Sequence, residues 1–451
     1  MSNRNFVSES TIPQIIKNLN SMDIFNKKYI ESEIISNEKF KLFLEKYKNN
    51  ISFYAKKLVK NSRSRLEYSI NKKCYIYLEN KNWFLSALIA ELFRDPFLSK
   101  NFNDISFNKL QEKMFYSLKN NKIKLVIGWG QAKRSCGNLK TNGYGVDFSE
   151  FYSLSVLQII IESIKLISNK KVNVVVLTGG DRFSSALFVN QKENNKYDNQ
   201  RKIIADMLSI DGISKIILMP YGENNVPLDD LNLFINNIPE IDVMDNIKTI
   251  LLNIDWINIL SNNISPHNIC IPDGIRYLLN NGWSINDIIL MSITSILDES
   301  NSEFWIKRVG NKVIFNEVVD FFYLVSIFST KIYLSIHLMN KIEKVMSRTN
   351  LSDAIRLTVH TKKDRNDIPS IYLLGRDGGN RLSQHTCAVF YDKKLHFLTK
   401  LEMLLLNKEF KEVYVHDSLF KEGFKSDQPF IYVDKESESY LEDISKYRFF
   451  Y

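Results

Sequence analysis

Cysteine is scarce in this chain. There are four in 451 residues, Cys74, Cys136, Cys270 and Cys387, and no two form a CxxC pair. That spacing argues against a disulfide framework and against a thiolate zinc site, and it fits a reducing compartment. Of the six histidines, His267, His337, His396 and His416 have no partner at ligand spacing. Without an HExxH or comparable set, neither a metal nor any other cofactor is expected. A GxSxG elbow and the kinase signatures are missing as well. Long apolar runs are also lacking: "FFYLVSIF" at 321 to 328 falls far short of the ~20 residues of a spanning helix. The N-terminal "MSNRNFVSES" is polar and lacks the apolar core of a signal peptide. Together these absences predict a cytoplasmic protein with no membrane partner, and no internal repeat is found.

A hydrophobic content of 44% is that of an ordinary globular protein. At 451 residues the chain is long enough for two to three domains, or for one core with large additions. The net charge of +9 comes from lysines spread along the whole chain. A clustered basic footprint is what nucleic-acid binders show, so a solvated basic surface is the expectation here, and an anionic small molecule is equally compatible.

Residues 1–115 read as a helical N-terminal region. "YAKKLVKNSRSRLEYSI" and "NWFLSALIAELFRDPFL" carry apolar residues at three-to-four spacing, and Pro96 stops the second soon after Phe93. From 116 to 425 the pattern predicts a Rossmann-like domain. "KIKLVI" (122–127), "VNVVVLT" (172–178) and "SKIILM" (214–219) are short, β-branched and nearly continuously apolar, as expected of strands covered on both faces. A helical repeat from Ser149 to Ile167 lies between the first two. The alternation predicts an α/β, doubly wound, mainly parallel sheet with ligands outside the carboxyl ends of its strands. Residues 225 to 350 read as mostly helical, with a turn at "NNGWS" and an amphipathic helix over 329–346. "SIYLL" (370–374) and "TCAVFYD" (386–392) flank the glycine-rich "GRDGGNR" and suggest a late antiparallel hairpin. Residues 426–451 read as a peripheral C-terminal tail.

Three stretches could carry chemistry. "GWGQAKRSCGNLKTNG" follows the first strand, but its lysine does not adjoin the last glycine of a Walker loop and the third glycine of a dinucleotide fingerprint is absent. What is left is either a turn or an anion site at a strand end, flanked by Lys133, Arg134 and Lys140. "TGGDRFSS" ends the second strand. Asp181 there is either a helix cap or a carboxylate able to accept an amine proton, with Arg182 beside it. In "AIRLTVH" the strand period puts Arg356, Thr358 and His360 on one face. That face is either a wet edge or a pocket wall, where Arg can grip an oxyanion and His can move a proton. His385, in "SQHTC", follows the glycine-rich turn.

In their order these elements resemble the isocyanide synthase family, also called the pyoverdine/dityrosine biosynthesis family. The resemblance rests on "AKRS" (132–135), "LKTNGYGVDFSE" (139–150), "TGGDRF" (178–183), "SDAIRLTVH" (352–360) and "QHTCAVF" (384–390), and it spans residues 100 to 395. Departures are the inserted Arg134, a reordered glycine-aspartate pair, Thr361 in place of a proline, and Ser383 and Gln384 where Pro and Trp precede the family's histidine. The resemblance implies condensation of the amine of tyrosine or tryptophan with the keto group of ribulose 5-phosphate, giving an isonitrile without a cofactor. It implies Lys133, Asp181, His360 and His385 as catalytic residues and Ser135, Arg182 and Arg356 as substrate-binding residues. The implied partners are the amino acid, the sugar phosphate and a downstream iron/2-oxoglutarate oxygenase. Two rivals remain: a tRNA-dependent cyclodipeptide synthase, for which Tyr221 and Glu223 in "MPYGE" would supply the pair, and a non-catalytic binding protein on the same scaffold.

Overall fold

Chain segments with no polar side chain to spare for solvent form the centre of the protein. The computed structural model describes residues 31–73, 80–100, 102–130, 133, 139–220, 235, 237–339, 345–347, 349–359, 368–378, 381–404, 406, 408–416 and 428–445. Its strands are β1 (Ser32–Ile35), β2 (Ser99–Lys100), β3 (Lys122–Gly128), β4 (Lys171–Thr178), β5 (Lys215–Pro220), β6 (Ile355–Leu357), β7 (Ser370–Ile371), β8 (Cys387–Tyr391), β9 (Lys394–Leu398), β10 (Phe410–Val415) and β11 (Ile431–Asp434).

Strands β5-β4-β3-β6 form a parallel sheet in that order. Chain order runs outward from β3 through β4 to β5, and β6 then joins on the other side of β3. The sheet's direction of winding therefore reverses between β3 and β6, and the crevice outside the carboxyl ends of such a pair is where open α/β sheets bind ligands. The fold is thus α/β and Rossmann-like, as the continuous apolar runs predict.

Helix Phe148–Ser168 connects β3 to β4, and its side chains are buried from Phe148 through Ile164. Asp147 and Glu150 form a capping box at its start, and Asn169 ends it in the left-handed region at φ 52°. By length and composition this helix and Lys312–Leu338 could each cross a membrane. The first is a core helix. The second buries Val318, Phe321, Phe322 and Val325 and exposes Val313, Leu324 and Phe328. It is also longer than its amphipathic part suggests, because helix Lys312–Met339 takes in the whole "FFYLVSIF" run as well.

A second sheet, β1-β10-β11-β8-β9, is mixed and draws on both ends of the chain. It corrects two expectations. The hairpin is β8 with β9, closed by Asp392 and Lys393 at φ 50° and 58°, the positive angles that a two-residue loop requires. "SIYLL" instead contributes β7, which pairs antiparallel with β2, and Gly375–Gly378 is helical. The segment after 426 is not peripheral either, because β11 lies between β10 and β8 with Ile431, Tyr432 and Val433 buried. Phe430 joins it to the core: its ring lies 5.7 Å from Phe40, 5.5 Å from Phe148 and 6.1 Å from Phe151. Phe43 and Tyr47, from helix Asn37–Lys73, pack on the same rings. One apolar core thus takes side chains from Ile35 to Ile444 and includes the N-terminal helices.

Candidate functional site

The start of the core helix lies at the carboxyl end of β3, so the loop between them meets the switch point from above. Lys133 comes from this loop and is fully buried. Its Nζ lies 2.8 Å from Asp147 Oδ2, 2.8 Å from Glu150 Oε2 and 3.2 Å from Ser149 Oγ. A lysine ammonium has three N–H donors, and these acceptors engage all of them. By sequence Lys133 flanks a turn or an anion site; here its charge is matched by two carboxylates, and its three donors are all engaged within the protein. Burial pulls the ammonium down, but Asp147 and Glu150 outweigh that and leave it raised.

Asp147 is held by several donors at once. Oδ1 accepts from Ser149 N at 2.7 Å and Ser149 Oγ at 2.5 Å, and Oδ2 accepts from Gln428 Nε2 at 3.1 Å. Burial nevertheless pushes this carboxyl up to about 7, with Glu150 adding to the rise and Lys133 opposing it. Glu150 Oε2 also accepts from Asp147 N at 2.9 Å, and its Oε1 from Tyr197 OH at 3.0 Å. Gln428 ties the C-terminal segment in. Its Oε1 accepts from Asn142 N at 2.8 Å and Gly143 N at 2.9 Å, fixing the backbone of the "KTNG" turn. Cys387 lies behind it, its thiol pushed up to about 12 by burial and by the nearby Asp147.

Lys140 is the second buried lysine. It donates to Asn253 Oδ1 and lies 3.4 Å from His385 Nδ1. An ammonium can only donate, so Nδ1 accepts and the imidazole proton resides on Nε2. His385 is itself buried, in the short helical turn Ser383–His385, and the carbonyl of Ser383 reaches Ser149 Oγ at 3.2 Å. Gly130 packs directly against Gln384: a Cβ there would come within 2.3 Å of its Nε2.

A third buried cation was not singled out from the sequence. Arg201, on helix Gln191–Leu208, is fully buried and pairs with Asp198. Asp198 Oδ2 in turn accepts from Thr178 Oγ1, on the last residue of β4, at 3.2 Å. The signal was present in the pattern, because Tyr197, Arg201, Ile204, Ala205 and Leu208 share one helical face. An arginine at a core position of an amphipathic helix needs a reason to be there.

Of the expected site residues, Lys133 and His385 join one connected network. Arg356 is half-buried in the middle of β6, in register with Val126, and so lies on the sheet face opposite Leu125 and Ile127. The predicted alternation holds, with Ile355, Leu357 and Val359 buried. Asp181 and Arg182 occupy the first turn of helix Gly180–Ala186, directly after β4, and Gly179 takes the cap position expected of Asp181. Ser135 and His360 lie outside the described residues, as do Arg134, Tyr221 and Glu223. Among the described residues no group of three or more His, Cys, Asp or Glu could hold a metal ion.

No family model matches the chain, and none of the curated proteins matches it. Among solved structures it is similar to the crystal structure of the PvcA protein from Pseudomonas aeruginosa, at 14% sequence identity and a TM-score of 0.42, covering 76% of this chain and 99% of that one.

Proposed function

We propose that the chain is an isocyanide synthase-like enzyme, a carbon-nitrogen bond-forming transferase of secondary metabolism. In this reading it condenses the amine of a tyrosine- or tryptophan-type amino acid with the keto group of ribulose 5-phosphate on the way to an isonitrile. One observation carries the reading. Three segments that the family resemblance picks out at distant points of the sequence, around Lys133, from Lys140 to Glu150 and at His385, meet in a single buried polar network at the carboxyl end of β3. A structural turn needs no such assembly, and a buried carboxyl perturbed by desolvation beside a charge partner at a strand end supports a functional site.

The chemistry asked of the residues is specific. The amine must shed a proton before it attacks the carbonyl, and the water that leaves on condensation must receive one. His385, with its proton on Nε2, is a donor suited to the second step, and Asp181 and His360 are proposed for the first. Arg182 and Arg356 are proposed to hold the sugar phosphate, with Ser135 assisting. Lys133 acts as a positioning residue that keeps Asp147 and Glu150 in place. The substrates are small molecules, and an iron/2-oxoglutarate oxygenase is the proposed consumer of the product.

Incubation of purified protein with each of the amino acids and ribulose 5-phosphate, followed by mass spectrometry, tests the reading. An isonitrile with one amino acid is the expected result. Absence of product across the full panel, with folded protein, would refute it.

A further inference from the structure

We propose that Arg201 and Trp129 form an oxyanion subsite at the carboxyl ends of β3 and β4, which holds the carboxylate or the phosphate of a substrate. The proposal rests on reading those strand ends as the substrate crevice, and it adds the group that grips the ligand there.

Arg201 is fully buried, and among the described residues its NH2 group alone is engaged, by Asp198. Its Nε and NH1 find no acceptor among the described residues, and neither does the buried indole Nε1 of Trp129, the residue that follows β3. Buried donors of this strength almost always have a partner. A guanidinium and an indole carry donors only, so two of them side by side form a site that accepts an anion and rejects a cation.

The geometry is fixed as well as charged. The guanidinium carbon lies 4.5 Å from the centroid of the Tyr197 ring and 5.5 Å from that of Trp129, so aromatic faces set its plane and the directions of its N–H bonds. Asp198 anchors it to Thr178 at the end of β4, and Trp129 N bonds Leu177 O at 2.9 Å. Tyr197 then links this group to Glu150 and hence to Lys133. The open donors therefore sit above the ends of adjacent strands and beside the switch point, where a substrate of an open α/β sheet would lie. Lys133 is neutralised by its carboxylates, whereas among the described residues Arg201 has one carboxylate and donors to spare.

The test uses full-length protein and three probes: inorganic phosphate, ribulose 5-phosphate and tyrosine. Calorimetric titration and thermal melts compare wild type with Trp129→Phe, which keeps the ring and removes the N–H, and with Arg201→Lys, which keeps the charge and loses the fork. Loss of a hydrogen bond to a charged group predicts binding weaker by about 10-fold in Trp129→Phe and by about 100-fold in Arg201→Lys. If the loss falls on inorganic phosphate and ribulose 5-phosphate, the source is the phosphate; if it falls on tyrosine, it is the carboxylate. Wild-type protein that binds none of the probes, or variants that bind as wild type does, would overturn the proposal. Should Arg201→Lys fail to fold, Trp129→Phe carries the comparison alone. A protein that binds phosphate through these residues but makes no isonitrile loses only the reaction proposed above. Turnover unaffected by both substitutions would remove only this subsite.

Discussion

Replacing Lys133 with methionine tests whether this lysine is a counter-ion or a ligand cation. The substitution preserves most of the side-chain volume and deletes the charge that faces Asp147 and Glu150, both at 2.8 Å and all three groups fully buried. Breaking a buried ion pair by removing one partner costs about 3–5 kcal/mol, since the remaining charge is left without compensation. Here two carboxylates are left facing each other. The loss is capped because the pair can take up a proton, and the Asp147 carboxyl already stands at about 7. About 4 kcal/mol is therefore expected near pH 8, where wild-type Asp147 is ionised and the variant is left with two facing carboxylates, and a smaller cost near pH 5, where Asp147 is neutral in both proteins and only Glu150 loses its counter-ion. The sign follows from linkage: the folded variant holds a proton that the unfolded chain has released, so its stability falls as pH rises from about 4 towards 8. The double variant Lys133→Met/Glu150→Gln removes the repulsion and should recover roughly 2 kcal/mol. Urea titrations followed by far-UV circular dichroism at the two pH values measure all of this, with an unchanged m-value as the control. A single variant within about 1 kcal/mol of wild type at pH 8 would refute the counter-ion assignment and return Lys133 to the ligand.

Three further outcomes follow from other parts of the fold. His267 is packed against Phe188 and Phe328, with Nε2 3.0 Å from Ser329 Oγ, and burial lowers it from 6.5 to about 4. A depressed folded value means stability that is present above pH 6.5 and lost as pH falls towards 4. After discounting for partial exposure it amounts to roughly 2 kcal/mol. In His267→Asn, which tolerates the left-handed φ of 52° at this position, the urea midpoint should lose that part of its acid sensitivity. Gly130→Ala should cost about 1–2 kcal/mol, because its Cβ displaces the buried Gln384 amide, and Gly130→Ala/Gln384→Ala should recover most of it; equal melting points for Gly130→Ala and wild type would contradict the contact. A chain ended at residue 425 loses the interior strand β11 and the Phe430 and Gln428 contacts, so it should give no cooperative thermal transition, and a wild-type-like melt would refute that.

The parallel sheet was readable because β3, β4 and β5 are nearly continuous apolar runs, although β5, at the sheet edge, buries Ile216 alone. The core helix announced itself by its period, although the second sheet gave no comparable sign. Its strands are short and half-covered, and β1 pairs with β10 from the far end of the chain. Local periodicity cannot carry that kind of pairing. The misplaced hairpin has the same origin: β7 has only Ser370 and Ile371 in the ladder, and its partner β2 lies before the domain boundary drawn from composition.

For the site, residue type was a poorer guide than the surroundings of each charge. Lys133 and Arg201 are both buried cations near the end of β3, and by type alone the loop lysine looks like the ligand-binding one. Lysine presents a compact ammonium that Asp147, Glu150 and Ser149 saturate completely. Arginine spreads its charge over a fork that, among the described residues, Asp198 engages at one end while Nε and NH1 find no acceptor. Among the described residues the network balances one cation and leaves two donor groups of the other without an acceptor, and that difference is what the proposed anion subsite rests on. The lysine thereby holds the start of the core helix in register, and Arg201 is the buried cation proposed to meet a substrate anion, alongside Arg182 and Arg356.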